Sequence, residues 1–180
     1  MSELSDQAIV RQVLAGDVSA FTHLVDRYQR VVYNAAFRIT SNQQDAEDVT
    51  QTVFLKVYEN LRLYNSKYRF YSWMYRIAIN EALNQQAKRR KKTSADVETV
   101  AEPLAEDRTY EKIELEQQVQ EAIYRLDPGD RALVVLKHFQ GFSYDEIGFI
   151  LDLPVRKVKS RLYTARQRLK EELIQAKVSG

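Results

Sequence analysis

The sequence predicts an all-α protein of two small helical domains joined by a flexible linker, the second domain a helix-turn-helix. Three observations carry that reading. Only 5 Gly and 3 Pro occur in 180 residues, and these are the residues that most strongly interrupt regular structure. Apolar residues recur at three- and four-residue spacing over long stretches, the period of one helix face. Charge is segmented: residues 1–92 hold 14 Lys/Arg against 9 Asp/Glu, residues 93–121 hold 2 against 9, and residues 122–180 hold 11 against 7. Two basic blocks around an acidic connector suit two modules that approach one polyanion.

The first helix is expected from Asp6 to Ala15, with Ile9, Val10, Val13 and Leu14 on one face and Gly16-Asp17 as its stop. The second runs from Ser19 to Ile39, with Phe21, Leu24, Val25, Tyr28, Val32, Ala35, Ala36 and Ile39 at helical spacing. Ser41-Asn42 offers a cap for a third helix, and Gln44, three residues after Ser41, completes a possible capping box. That helix extends to Leu61 and turns Ala46, Val49, Val53, Phe54, Val57 and Leu61 inward. Residues 62–69 (RLYNSKYR) break the period and read as a polar, tyrosine-bearing loop, after which Phe70 to Lys92 is helical again. The domain limits are therefore 1–92, a connector at 93–110 rich in acids with Pro103, and 111–180.

In the second domain Leu115, Val119, Ile123 and Leu126 line one helix, and Asp127-Pro128 caps and opens the next, which ends at Phe139 before Gly141. Ser143-Tyr144-Asp145-Glu146 fits a capping box. A short helix with Ile147, Ile150 and Leu151 follows, then a break at Leu153-Pro154. A longer helix carries Val158, Leu162, Ala165, Leu169 and Leu173 inward. Short helix, tight turn and longer helix is the helix-turn-helix arrangement.

The outward face of that last helix directs the functional reading. Residues 156–170 hold Arg156, Lys157, Lys159, Arg161, Arg166, Arg168 and Lys170 and no acid. Cations in a first turn oppose the helix dipole at about 0.3–1 kcal/mol each, so Arg156 and Lys157 are better explained by phosphates or base edges. The alternative is a solvated basic face on an ordinary helical hairpin.

With 0 Cys, disulfides, thiolate zinc sites and cysteine nucleophiles are excluded. Asp45, Glu47 and Asp48 form an acidic cluster that could hold a metal or simply favour a first turn. His23 and His138 are isolated among apolar residues and read as structural. No apolar run reaches the length that spans a bilayer, about 18 residues, and no leader precedes the first helix, so a soluble cytoplasmic protein is expected.

Three segments resemble the extracytoplasmic-function (ECF) sigma factors of bacterial RNA polymerase. Residues 141–166 (GFSYDEIGFILDLPVRKVKSRLYTAR) resemble the promoter-binding helix-turn-helix, residues 45–58 (DAEDVTQTVFLKVY) the polymerase-binding helix, and residues 70–80 (FYSWMYRIAIN) the adjoining segment that opens DNA. The resemblance extends from about residue 5 to 175 and implies a non-enzymatic initiation factor without cofactor, metal or small-molecule substrate. It implies contacts to core RNA polymerase from Asp45, Asp48, Gln51, Phe54 and Lys56. The loop 62–71 and the helix after it would hold the melted minus-ten element through Tyr64, Tyr68, Tyr71, Asn80 and Asn84, with Lys88 and Arg89 on phosphates. Single-stranded bases stack on aromatic rings, which such a role requires; Trp73, Tyr75 and Ile77 read as core instead. Arg156, Lys157, Lys159, Ser160, Arg161, Tyr163 and Thr164 would read the minus-thirty-five element of promoter DNA. The resemblance further implies an anti-sigma factor, commonly membrane-anchored, and a stress, envelope or metal response. Two departures stand out: Arg156 and Lys157 replace the Gly-Thr that usually opens the recognition helix, and Tyr64-Asn65-Ser66 replaces a usual Phe-Arg-Gly in the loop.

Overall fold

The computed structural model describes residues 4–92 and 110–178, all helix, turn or loop, with no strand among them. Four α-helices build the N-terminal bundle: α1 (Asp6–Leu14), α2 (Phe21–Thr40), α3 (Gln43–Glu59) and α4 (Phe70–Lys92). Ser5 caps α1 by accepting from the amide of Ala8 at 3.3 Å. A 3₁₀ turn at Val18–Ala20 then feeds α2. The cap at Ser41-Asn42 falls on Asn42 alone, whose Oδ1 accepts from the Asp45 amide at 2.8 Å. Ser41 instead ends α2 in the left-handed region at φ 50°, so no capping box with Gln44 forms. A helix of 20 residues and a helix of 17 thus meet across two residues, which sets them antiparallel.

The inward stripes expected on α2 and α3 meet, and a buried face of α4 joins them. Val32, Ala35, Ala36, Phe37 and Ile39 of α2, Ala46, Val49, Val53 and Val57 of α3, and Met74, Tyr75, Ala78, Ile79 and Ala82 of α4 are buried together. Each large aliphatic side chain so placed contributes about 1.5–3 kcal/mol. Leu14 lies on the exposed side of α1, and Trp73 and Ile77 are only half-buried.

The C-terminal bundle comprises α5 (Tyr110–Tyr124), α6 (Pro128–Val134), α7 (Tyr144–Leu151) and α8 (Val155–Val178). The connector expected at 93–110 lies outside the described residues apart from Tyr110, which opens α5. Pro128 occupies the first turn of α6 as predicted, but the Asp127 carboxylate makes no cap bond and binds Arg168 at 3.0 Å. The helix expected to reach Phe139 does so through a π-helical turn at Val135–Phe139, closed by Gly141 at φ 71°. Ser143 and Glu146 form the full capping box: the Glu146 amide donates to Ser143 Oγ (3.2 Å) and the Ser143 amide donates to Glu146 Oε2 (2.9 Å). Between α7 and α8 the chain turns so tightly that a Cβ on Gly148 would meet the Leu153 carbonyl oxygen at 2.8 Å. Leu115, expected inward, is exposed, whereas Ile123, Leu126, Ile147, Ile150, Val158, Leu162 and Ala165 form the core.

The two bundles pack against each other along two seams. In the first, Arg131 and Gln120, both fully buried, reach the C-terminal end of α2. Arg131 donates to the carbonyl of Ile39 as well as to those of Ile123, Tyr124 and Leu126. Gln120 donates to the Arg38 carbonyl at 3.2 Å and to Ser41 Oγ at 2.8 Å. A cation at the negative end of a helix dipole is favourable by up to about 2 kcal/mol when partly buried. Burial pulls the Arg131 pKa down to about 10, still far above neutrality, so the guanidinium keeps its charge. In the second seam α4 meets α7: Tyr71 and Tyr75 both donate to Gln140 Oε1 (3.1 and 2.8 Å), their rings rest on Phe142, and Tyr68 stacks on Phe149 with centroids 4.3 Å apart.

Candidate nucleic-acid and polymerase surfaces

The first half of α8 presents a polar face to solvent. Arg156, Lys157, Lys159, Ser160, Tyr163 and Thr164 are all exposed, and at 100° per residue they fall within an arc of roughly 160°. Val158, Leu162 and Ala165 fill the opposite side and fix that face outward. The Ser160 hydroxyl donates to the Lys157 carbonyl (3.2 Å) and Thr164 Oγ1 to the Ser160 carbonyl (3.3 Å), which holds both close to the helix surface. Cations, hydroxyls and one exposed phenol on a protruding helix match phosphates and major-groove base edges.

Arg161, expected to contact DNA, is half-buried and paired within its own domain. Its Nε and Nη2 both donate to Asp130 Oδ1, at 3.0 and 2.6 Å, and Arg168 approaches the other carboxylate oxygen at 3.5 Å. Gly129 makes room for this: a Cβ there would stand 2.7 Å from Arg161 Nη2. Arg161 is therefore a strut between α6 and α8, an arrangement that spacing along one helix does not reveal.

On α4 the residues separate by face. Asn80 and Asn84 are exposed one turn apart, in line with the half-buried Trp73 and Ile77. Tyr71 points half a turn away and is taken up by Gln140 and Phe142. Tyr64 is half-buried, its hydroxyl donating to the Tyr68 carbonyl (2.7 Å) and its ring against Phe70 and Trp73. Tyr68 is 47% exposed even with Phe149 stacked on it. Lys88 is exposed, but Arg89 donates to Asp45 Oδ2 at 2.9 Å rather than standing free for a phosphate.

The same pair changes the reading of α3. Asp45 is only 8% exposed and accepts from Gln85 (2.9 Å) and Arg89, so its carboxylate clamps α3 to α4. Phe54 is buried in the core, and Lys56 pairs with Glu81 at 2.5 Å. What faces solvent is a stripe of Asp48, Gln51, Leu55 and Tyr58, with Leu55 58% exposed. Leu55 and Tyr58 lie off the buried Val53, Phe54, Val57 stripe, which places them on the exposed face. Tyr58 also rests edge-on against Phe21, with ring centroids 5.2 Å apart.

Both histidines lie on the surface, contrary to the expectation of structural core positions. His138 Nε2 accepts from Arg166 Nε at 3.0 Å, and burial together with Arg166 and Lys137 holds its pKa below the ordinary value. Burial raises the Glu146 pKa, but the Ser143 hydrogen bonds, Arg69 and Ser72 outweigh it and leave the carboxylate below its usual range. Among the described residues no three His, Cys, Asp or Glu converge to hold a metal, and no helix is long and apolar enough to cross a membrane.

Comparison with known proteins identifies the family. The family model for Sigma-70 region 2 matches residues 24–92, and that for Sigma-70, region 4 matches residues 116–169. The ECF RNA polymerase sigma-E factor of Escherichia coli K12 is 36% identical over 180 residues, covering 93% of this chain and 94% of that protein. The ECF RNA polymerase sigma factor SigW of Bacillus subtilis is 31% identical over 176 residues, covering 91% and 94%. Among solved structures, CnrH in complex with the cytosolic domain of CnrY superposes with a TM-score of 0.73 at 26% identity, over 95% of this chain and 97% of that one. Region 2 ahead of region 4, with relatives matched over nearly their whole length, places the chain in the ECF group of the sigma-70 family, whose members are DNA-binding transcription initiation factors and not enzymes.

Proposed function

We propose a division of labour within this sigma factor that follows its two domains. Residues 1–92 dock on core RNA polymerase and hold the melted minus-ten element, residues 93–110 connect, and residues 111–180 read the minus-thirty-five element. Docking uses the exposed stripe Asp48, Gln51, Leu55 and Tyr58, with Lys56 at its edge; Asp45 and Phe54 support that surface from beneath. Asn80 and Asn84 contact the displaced strand, Lys88 a phosphate, and Tyr64 and Tyr68 supply stacking rings at the loop. Arg156, Lys157, Lys159, Ser160, Tyr163 and Thr164 face the duplex. The observation that carries this reading is the acid-free, outward-facing arc of α8, built on the helix-turn-helix.

The loss of the usual Gly-Thr at 156–157 adds two cations at the start of α8, so a larger share of minus-thirty-five affinity is electrostatic and salt-sensitive. Because CnrH is solved with the cytosolic domain of CnrY, we assign this chain a comparable partner, a membrane-anchored anti-sigma factor. We further propose a cytoplasmic location, where RNA polymerase acts, and control of a stress, envelope or metal response. The test is reconstituted run-off transcription with core polymerase. Lys159→Ala and Tyr163→Ala should each lower promoter use by about 1–3 kcal/mol equivalent, concentrated at single bases. Transcription insensitive to both changes would remove α8 from the promoter.

A further inference from the structure

The cations of α8 differ in what holds them. Arg161 is paired with the Asp130 carboxylate. Lys159, on the exposed arc, is held by a ring instead: its Nζ lies 5.5 Å from the centroid of Tyr144, the first residue of α7. A second ammonium, that of Lys137, lies 4.6 Å from the same centroid and donates to the Phe142 carbonyl at 3.1 Å. Both distances are within the range over which a ring face attracts a cation, about 6 Å. Tyr144 is half-buried against the core of its domain, so the ring is a fixed platform. Among the described residues neither ammonium has a carboxylate partner. Stability alone gives no reason to gather two like charges around one ring, whereas an electron-rich ligand arriving from solvent does.

We infer that Tyr144 is a positioning residue for promoter recognition, its ring aiming the Lys159 ammonium at the N7 and O6 acceptors of one guanine in the major groove. The inference rests on the reading of α8 as the helix that faces the duplex. A lysine is a compact charge on a flexible stem, and an unrestrained one at the surface settles on any phosphate within reach. The negative face of an aromatic ring restrains the ammonium without neutralising it and without occupying its N–H groups. A carboxylate in the same place would do both. An ammonium donates and never accepts, so once restrained it selects an edge made only of acceptors. Guanine offers two acceptors side by side, whereas adenine and cytosine present an amino group there and thymine a methyl beside its acceptor. Lys137, half-buried and tied to Phe142, cannot follow to the base edge, and its charge is left for a phosphate of the flanking backbone.

The test is run-off transcription by the full-length protein with core RNA polymerase, from promoters changed base by base. Lys159→Ala should flatten discrimination at one base pair and so locate the guanine. Placing 7-deazaguanine there, which lacks the N7 acceptor, should impair the wild type and leave Lys159→Ala unaffected. Tyr144→Phe keeps the ring and should keep the discrimination. Pentafluorophenylalanine in place of Tyr144 keeps the shape but loses the negative face. It should lower discrimination at that base pair by about threefold or more, with no further loss in the Lys159→Ala background. Lys137→Ala should instead weaken all promoters evenly and reduce the salt slope by about 1. Equal discrimination by the phenylalanine and pentafluorophenylalanine forms would overturn the positioning role, as would a loss in Tyr144→Phe as large as that in Lys159→Ala. Indifference to Lys159→Ala at every base pair is a different failure: it would refute the reading of α8 on which the inference rests.

Discussion

Replacing Asp130 by Ala separates the two roles available to Arg161. The Asp130 carboxylate is nearly buried and receives two N–H groups of Arg161 at 3.0 and 2.6 Å, while Arg168 reaches it at 3.5 Å. Hydrogen bonds to a charged partner contribute about 1.5–3 kcal/mol, and leaving a fully buried charge unpaired costs about 3–5 kcal/mol. The Arg161 side chain keeps 35% of its surface in water, so it can rehydrate, and the expected loss is near the lower range, about 2 kcal/mol. For a small helical domain that is a fall in melting temperature on the order of 10 °C. A double-mutant cycle with Arg161→Ala should return a coupling of about 1–2 kcal/mol. Run-off transcription from promoters substituted base by base then distinguishes strut from reader. If Arg161 is a strut, Asp130→Ala and Arg161→Ala lower promoter use evenly across all substituted promoters. A loss of discrimination at one base pair in Arg161→Ala alone, with coupling below about 0.5 kcal/mol, would refute the strut.

Gly148→Ala should destabilise the helix-turn-helix by more than about 2 kcal/mol, because the added methyl meets a main-chain oxygen at 2.8 Å that cannot move aside; urea denaturation measures it, and a change under 0.5 kcal/mol would show that the turn relaxes. Leu55→Asp should weaken binding to core polymerase at least tenfold, about 1.4 kcal/mol, with an unchanged circular dichroism spectrum, since Leu55 touches solvent rather than core; unaltered competition for core would remove the stripe from the docking surface. His138 gives a pH signature. Its folded pKa lies below 6.5, so the unfolded chain binds the proton more readily, and the contribution to stability is present above pH 6.5 and lost as pH falls through the folded value. Melting curves between pH 5 and 7.5 should show a steeper acid loss for wild type than for His138→Gln, and parallel curves would exclude the contribution.

Legibility in the sequence followed the range of the interaction. The start of α4 at Phe70, the break at Leu153-Pro154 and the Ser143 capping box are each decided within a few residues, and each was readable. The exposed arc of α8 was equally readable, because helical period alone separates Val158, Leu162 and Ala165 from Lys159, Ser160 and Tyr163. Roles that depend on a partner far along the chain were not. Asp45 meets Arg89 across 44 residues, Arg161 meets Asp130 across 31, and Arg131 meets Ile39 across 92. A charged residue at a suggestive position looks the same in sequence whether it faces DNA or another helix. Ser41 failed for a subtler reason: Ser and Asn are both good caps, and only the left-handed turn that ends α2 puts Asn42 in the capping position.

Glu146 uses its two oxygens differently. Oε2 accepts from the Ser143 amide and completes the cap of α7, whereas Oε1 receives Arg69 and Ser72 of the other bundle. Replacing Arg69 and Ser72 by alanine therefore empties one oxygen and leaves the other in place. The short helix of the helix-turn-helix is therefore fastened by its own chain, whatever happens to its contacts with the N-terminal bundle.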